Sequence, residues 1–203
     1  VAMMNANLRM TEVHTDWPER KEMGVDLETH SICLPAGTRL DLGGIAKGWA
    51  ADRALERLVE LGPALVDAGG DIALSPRSAL DACWPVAVTD PHHPQDTIAL
   101  LALHAGAVAT SGREIHRWQQ GDHMRHHIID PRTGEPAGSD VLTATVIAPT
   151  AVEAEMAAKC ALILGGQQGL TWLDERPDYA GLLVLEDGSQ LYSRTMESYL
   201  WSE

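Results

Sequence analysis

The chain has 203 residues, of which 45% are apolar, and this is enough for a hydrophobic core and excludes intrinsic disorder. Its 15 basic and 29 acidic residues give a net charge of −14, the wrong sign for a protein that binds the phosphates of a nucleic acid. Three well-separated cysteines, Cys33, Cys83 and Cys160, indicate free thiols rather than a disulfide framework or a cysteine-based zinc site.

The N-terminal residues match neither a signal peptide nor a transit peptide. The chain starts at Val1 without an initiator methionine, so we expect it to be part of a longer gene product. The sequence therefore leaves the cellular compartment open.

The first half of the chain predicts one helix among short strands. The helix is expected at residues 45–61, because apolar residues recur there at helical spacing until a Gly-Pro dipeptide follows. Short strands are expected on both sides of it, at 24–27, 31–38, 64–67 and 72–74.

The second half is predicted to be richer in strands. Residues 97–103 and 107–110 flank His104-Ala-Gly106 and predict a hairpin, whereas the polar stretch 113–126 predicts an exposed connection. Thr150 and Glu153 have the spacing of a capping box, which predicts a helix from there to about residue 164. The other expected elements are strands at 84–89 and 141–148, a helix at 167–175, and a hairpin of 182–185 with 190–192.

Strands outnumber helices in this pattern and do not alternate regularly with them. The expected fold class is therefore α+β, with a largely antiparallel sheet and packed helices. No linker or internal repeat divides the sequence, so we expect a single domain over residues 1–203.

The stretch DLGGIAKGWAAD, residues 41–52, runs from glycines directly into the first predicted helix. Glycines let a ligand approach the backbone closely, and the N–H groups of a first helical turn attract anions. Lys47 lies in that turn, where the helix dipole disfavours a cation, so its presence is more easily explained if an anion binds. A glycine turn with a solvated lysine is the alternative.

Three further stretches contain residues typical of ligand sites. The two glycines of DAGGD, residues 67–71, make a tight turn that can present Asp71 to a site. The strand end ATSG, residues 109–112, can offer hydroxyl and N–H groups to a phosphate. In HHIIDPRTGEP, residues 126–136, a histidine at the start of a strand can act as a general base. Each stretch can equally be an ordinary turn or loop.

Two other groups of side chains have simple explanations. Glu155 and Lys159 are four residues apart on a predicted helix, where an exposed ion pair is the natural expectation. His123, His126 and His127 could form a zinc site of a hydrolase, although the helical spacing typical of zinc enzymes is missing. A solvated histidine cluster is the alternative.

Taken together, these motifs resemble the ApbE family. The order DLGGIAKGWAAD, DAGGD, ATSG, HIIDPRTGEP and TVIAPTAVEAEMAAKCALILG over residues 41–165 carries the resemblance. Members of this family are bacterial FAD:protein FMN transferases, which require Mg²⁺, transfer FMN from FAD to a threonine or serine hydroxyl of a protein, and release AMP. The resemblance implies this fold and activity for the chain, which would correspond to the C-terminal two-thirds of a full family chain.

The resemblance also implies roles for individual residues. Asp41 and Lys47 would contact FAD, and Ile129 would contact the flavin nucleotide. His127 would match the histidine that activates the acceptor hydroxyl.

Three other residues correspond to the metal site of the family. The backbone carbonyl of Gly44 would face the Mg²⁺ ion, while Glu155 and Lys159 stand where the family usually has an aspartate and a threonine. Glutamate is still an oxygen ligand, but lysine has no acceptor atom to offer a metal.

The implied partners are FAD and an acceptor protein with a Thr- or Ser-containing motif, expected to be a subunit of a membrane redox complex. Many relatives are exported or anchored by lipid. Two other functions stay open: a FAD-binding or protein-interaction module without catalysis, and a FAD pyrophosphatase that produces FMN and AMP.

Overall fold

The computed structural model describes residues 23–38, 40–78, 82–114 and 117–201, without the side chains of Gln120, His123 and Met124. The chain divides into two compact units, Val1–Asp41 and Leu42–Glu203. Whether these are one domain, as the sequence predicts, stays a prediction.

The described part of the first unit contains a small hairpin. Strand β1 (Gly24–Asp26) pairs antiparallel with β2 (Ser31–Cys33). The Asp26 carboxylate accepts hydrogen bonds from the backbone N–H groups of Glu28 and Thr29 and so stabilises the turn. The two short strands expected here are confirmed.

The second unit is built around a six-stranded antiparallel sheet with the strand order β14-β13-β12-β7-β4-β3. The remaining strands pair as the hairpins β5–β6, β8–β9 and β10–β11. In chain order the elements are α1 (Ala46–Leu58), β3 (Leu65–Asp67), β4 (Ile72–Leu74), β5 (Trp84–Thr89), β6 (Thr97–Leu103), β7 (Gly106–Gly112), β8 (Arg117–Gln120), β9 (His123–His126), β10 (Ile129–Asp130), β11 (Glu135–Pro136), β12 (Val141–Ala148), α2 (Ala151–Leu164), α3 (Gly166–Asp174), β13 (Ala180–Leu185), β14 (Gln190–Tyr192) and a 3-10 helix (Met196–Tyr199).

The sheet separates two layers, as the alternating residues of β12 demonstrate. Ala144 and Val146 pack in one core with residues of α2 and α3, whereas Ile147 packs in another with residues of the β5–β6 hairpin. Successive strand residues point to opposite faces, so the helices cover one face and the hairpin covers the other. The expected α+β class, with an antiparallel sheet and packed helices, is confirmed.

Helix α2 is the central helix of its layer and is almost entirely apolar. Its charged residues are Glu153 at its start and the pair Glu155 and Lys159 further along. Charged groups on such a helix need partners, so this pair marks a candidate site. No helix in the part of the chain that the structure describes is long and apolar enough to cross a bilayer. All three cysteines are free, as expected.

The hairpin predicted around residues 104–106 is wrong. Strand β6 pairs with β5, whereas β7 pairs with β4 and β12, so the two predicted strands belong to different sheets. Gly106 has a φ of 102°, and a side chain at this position would meet the Ala148 carbonyl at 2.9 Å. The glycine therefore allows a close approach between two strand ends rather than a hairpin turn.

The expected connection at residues 113–126 contains a hairpin instead. Strands β8 and β9 pair with Gln120 opposite His123, across a two-residue turn of Gly121 and Asp122. Gly121 has a φ of 61°, which glycine adopts without strain, and Gly-Asp is a known hairpin signal that the polar composition obscured.

Candidate active site

Helices α1 and α2 begin side by side, and each supplies a carboxylate to the start of the other. Helix α1 has no side-chain cap from its own N-cap residue, but the Gly48 N–H donates to Glu155 Oε2 of α2 at 2.9 Å. In return, Asp52 of α1 accepts hydrogen bonds from the N–H groups of Ala151 and Val152 at 2.8 and 3.1 Å. These bonds satisfy first-turn N–H groups that have no partner within their own helix.

Gly48 is what lets the two helices approach this closely. A Cβ atom at this position would overlap the Ala151 carbonyl and lie 2.8 Å from the Val152 nitrogen. The glycine is therefore required by packing, in addition to any role of the backbone toward a ligand.

Two lysines and two carboxylates form the charged cluster at this junction: Lys47, Asp71, Glu155 and Lys159. The Lys47 Nζ lies 2.9 Å from Asp71 Oδ2, and the Lys159 Nζ lies 2.9 Å from Glu155 Oε1. Both carboxylate residues are 1% exposed, whereas the Lys159 and Lys47 side chains are 23% and 48% exposed. The cluster thus has buried anions and ammonium groups that reach solvent.

The Asp71 carboxyl is influenced by the charges of both ion pairs. Burial raises the pKa of the Asp71 carboxyl, and the nearby Glu155 carboxylate raises it further. The ammonium groups of Lys47 and Lys159 act in the opposite direction. The other three groups are therefore close enough to Asp71 to act on its carboxyl.

Gly44 lies in the loop that leads into α1 and is half-buried. A Cβ atom at Gly44 would lie 3.8 Å from Cδ and 3.9 Å from Cε of Lys159, in ordinary van der Waals contact. The structure therefore brings Gly44, Lys47, Glu155 and Lys159 together, as the order of motifs indicated.

The arrangement of these residues does not fit a magnesium site. Mg²⁺ requires several oxygen ligands in near-octahedral geometry, and the Lys159 side chain has donors only. Both Glu155 oxygens are already engaged, Oε1 by the Lys159 ammonium and Oε2 by the Gly48 N–H. Within the described ranges there is no group of three or more His, Cys, Asp or Glu side chains that could hold a metal.

His127 directly precedes strand β10, and Ile129 is the first residue of that strand. His127 is exposed, and Ile129 is 45% exposed although it is apolar. The residues between and after them, Ile128 and Asp130, point inward and are 4% and 8% exposed. Two outward-facing side chains, a histidine and an apolar residue, thus lie just before and at the start of a short strand.

His126 has a structural role. Its Nε2–H donates to the Ala137 carbonyl at 3.0 Å, and its Nδ1 accepts from the Ile128 N–H at 3.3 Å. Burial lowers the pKa of His126, and the charge of Arg113 adds to this effect. Because both ring nitrogens are used, His126 cannot serve as a zinc ligand, which removes the basis of the zinc hydrolase among the described histidines.

A cleft of about 500 Å³ lies beside these histidines and is called the arginine cleft here. It is lined by Arg113, Arg117, Arg125, His126 and residues 136–138, together with Glu114 and Glu186. Each arginine is paired with a glutamate: Arg113 with Glu186 at 2.6 Å, Arg117 with Glu114, and Arg125 with Glu135. Its size is that of a small-molecule pocket.

Asp41 is exposed and is the last residue of the first unit, so its predicted contact with FAD stays a prediction. The roles predicted for His127, Ile129 and Lys47 toward a ligand also stay predictions. Sequence reasoning did not single out Asp52 or Gly48 and pointed to Asp71 only through its glycine turn. The signal for Asp52 was present, since it lies one helical turn after Gly48 in the same motif.

The family model described as ApbE family matches residues 5–183 of this chain. A FAD:protein FMN transferase of Treponema pallidum is 37% identical over 171 residues, which are 78% of this chain and 47% of that protein. A FAD:protein FMN transferase of Escherichia coli is 29% identical over 162 residues, 78% of this chain and 43% of that protein.

Solved structures of the family share the fold. The crystal structure of the ApbE protein from Thermotoga maritima has a TM-score of 0.79 and 31% identity, and covers 89% of this chain and 59% of that chain. Flavin transferase ApbE from Vibrio cholerae has a TM-score of 0.71 at 24% identity, covering 88% and 58%. The chain spans about half the length of the curated relatives that it matches.

Proposed function

The chain belongs to the ApbE family, and on this premise we propose that it transfers FMN from FAD to a threonine or serine hydroxyl of an acceptor protein and releases AMP. The relatives named FAD:protein FMN transferase support this reaction. The acceptor is proposed to be a subunit of a membrane redox complex.

The observation that carries the proposal is the charged cluster at the start of α1. Two ammonium groups, of Lys47 and Lys159, reach solvent there above two buried carboxylates. The diphosphate of a dinucleotide such as FAD carries two negative charges. Lysine ammonium groups bind phosphate oxygens through their positive charge and their hydrogen-bond donors. We therefore assign the diphosphate of FAD to the charged cluster.

The transfer step needs a base for the acceptor hydroxyl. In the proposed reaction the acceptor oxygen attacks the phosphorus of the FMN half, the bond to the AMP half breaks, and AMP leaves with the bridging oxygen. His127 takes the hydroxyl proton, a role that fits an exposed imidazole just before a short strand. Ile129, exposed two residues away, offers an apolar contact to the flavin ring, with the arginine cleft beside it.

The test is incubation of the purified protein with FAD and a peptide that contains a single threonine, followed by mass spectrometry. Flavin on the peptide together with AMP in equal amount is the expected result. Free FMN and AMP with unmodified peptide would instead identify a FAD pyrophosphatase, and FAD binding without turnover would identify a binding module.

The base assignment has a matched pair of variants. His127→Asn is expected to slow transfer by about 10²–10⁴-fold, the usual contribution of a general base. His104→Asn changes another exposed histidine, between β6 and β7, and is expected to leave the rate unchanged. Undiminished transfer by His127→Asn would remove His127 from the mechanism.

A further inference from the structure

We propose that the Lys159 ammonium takes the place of a divalent cation in this protein, so that the charged cluster binds a diphosphate without a metal ion. The identity of the ligand, FAD, rests on the proposed function. The replacement of the metal rests on the residues of the charged cluster themselves.

The position of the ammonium is the first argument. Glu155 is 1% exposed, and a buried carboxylate needs a positive partner. Lys159 supplies it at 2.9 Å from Oε1, while the Gly48 N–H fixes Oε2. A divalent ion could bind Glu155 only by displacing the lysine from the place it fills.

The stem of Lys159 passes beside the loop that leads into α1. Its Cδ and Cε carbons lie 3.8 and 3.9 Å from the place that a Cβ atom at Gly44 would take. The lysine stem therefore occupies space beside Gly44, the residue whose carbonyl would have to face a metal.

The charge balance is the second argument. The carboxylates of Asp71 and Glu155 carry two negative charges, and the ammonium groups of Lys47 and Lys159 carry two positive charges. In the ligand-free protein, a divalent cation added to this balanced set would leave an excess of two positive charges beside partly buried ammonium groups. Coulomb repulsion at such short distances is strong near the protein interior.

The lysine can also do what the ion would do for a diphosphate. An ammonium group has three donors, of which one is used on Glu155, and the Lys159 side chain is 23% exposed. The remaining donors can reach phosphate oxygens together with Lys47, which is more exposed. The buried carboxylates then hold the two ammonium groups in place.

The first experiment measures binding of Mn²⁺, used as a paramagnetic probe, to the ligand-free protein by electron paramagnetic resonance. At about 1 mM Mn²⁺ the wild-type protein is expected to bind none at this place, whereas Lys159→Thr, which supplies a hydroxyl and vacates Glu155, is expected to bind one ion. Arg53→Thr makes the same charge change on the exposed side of α1 and should behave like the wild type. Mn²⁺ that binds the wild-type protein and is lost in Glu155→Gln would overturn the proposal.

The second experiment measures FAD affinity by fluorescence quenching, in EDTA and in Mg²⁺. The wild-type protein should bind FAD equally in both buffers, and Lys159→Met, which keeps the length of the side chain, should bind at least about tenfold more weakly in both. A tenfold loss of wild-type affinity in EDTA, or tighter binding by Lys159→Met, would overturn the proposal.

The two experiments separate this proposal from the proposed function. If the wild-type protein binds no FAD in either buffer, the proposed function fails, and the Mn²⁺ measurement still decides whether Lys159 holds the cation position. The wild-type measurements need no variant to fold, and circular dichroism checks the variants.

Discussion

Substitution of Gly48 by alanine tests whether the helix junction is as tight as described. In an ordinary helix interior, Gly→Ala stabilises a protein by roughly 0.5–1 kcal/mol, because the unfolded chain loses conformational freedom. At Gly48 the added methyl group meets the backbone of α2, which cannot rotate away as a flexible side chain would.

The expected loss follows from two effects at this junction. Overpacking against rigid surroundings costs about 1–3 kcal/mol, and moving α1 away weakens the hydrogen bond from residue 48 to Glu155, worth about 1 kcal/mol or more. After subtraction of the gain in helix propensity, we expect Gly48→Ala to lower the free energy of unfolding by about 2 kcal/mol.

Urea denaturation followed by circular dichroism measures this difference, with Gly138→Ala as the control. Gly138 has no atom within 4 Å of the position of a Cβ and does not have a positive φ, so alanine should be neutral or slightly stabilising there. A Gly48→Ala protein as stable as the wild type would show that the two helix starts are not in close contact.

Three further results are expected. Asp52→Ala should lower the free energy of unfolding, measured in urea, by about 2 kcal/mol, whereas Thr150→Ala should lower it by about 1 kcal/mol. The difference is expected because Asp52 accepts hydrogen bonds from two N–H groups of α2. Equal losses would contradict this reasoning. The hydrogen bonds from Arg132 lower the pKa of Asp130, so this pair adds stability above about pH 4 that is lost as the pH falls through the lowered pKa. In Arg132→Ala, the Asp130 carboxyl should titrate at a higher pH in NMR spectra. An unchanged titration midpoint would refute the pairing. Burial lowers the pKa of His126, so the neutral imidazole contributes fully to stability above about pH 6.5. This contribution is lost as the pH falls toward the lowered pKa. An NMR titration midpoint at or above 6.5 would contradict the burial of His126.

Local patterns in the sequence predicted most of the elements but not how the strands pair. The helix at residues 150–164 has both its capping box and its apolar composition in the sequence, and it was found as expected. The strands at 97–103 and 107–110 were also found, yet they lie in different sheets, because their pairing depends on Ala148 and other distant residues. Sequence spacing carries no information about such contacts.

The same limit applies to the candidate site. Lys47, Gly44, Glu155 and Lys159 were singled out by their motifs, and the structure brings them together. The ion pair between Glu155 and Lys159 was also expected, but as an exposed pair, whereas Glu155 is buried. Burial depends on the packing of α1 against α2, which a single-helix pattern cannot reveal.

The exchange of carboxylates between α1 and α2 has a consequence for how the site forms during folding. The bonds from Gly48 to Glu155 and from Ala151 and Val152 to Asp52 join positions 107, 99 and 100 residues apart. Contacts between positions so far apart in sequence carry a loop-closure cost that must be met before they form. When α1 and α2 are apart, the hydrogen bonds of both helix starts are lost together, so the amide hydrogens of Gly48, Ala151 and Val152 are expected to exchange with solvent in a single shared opening event.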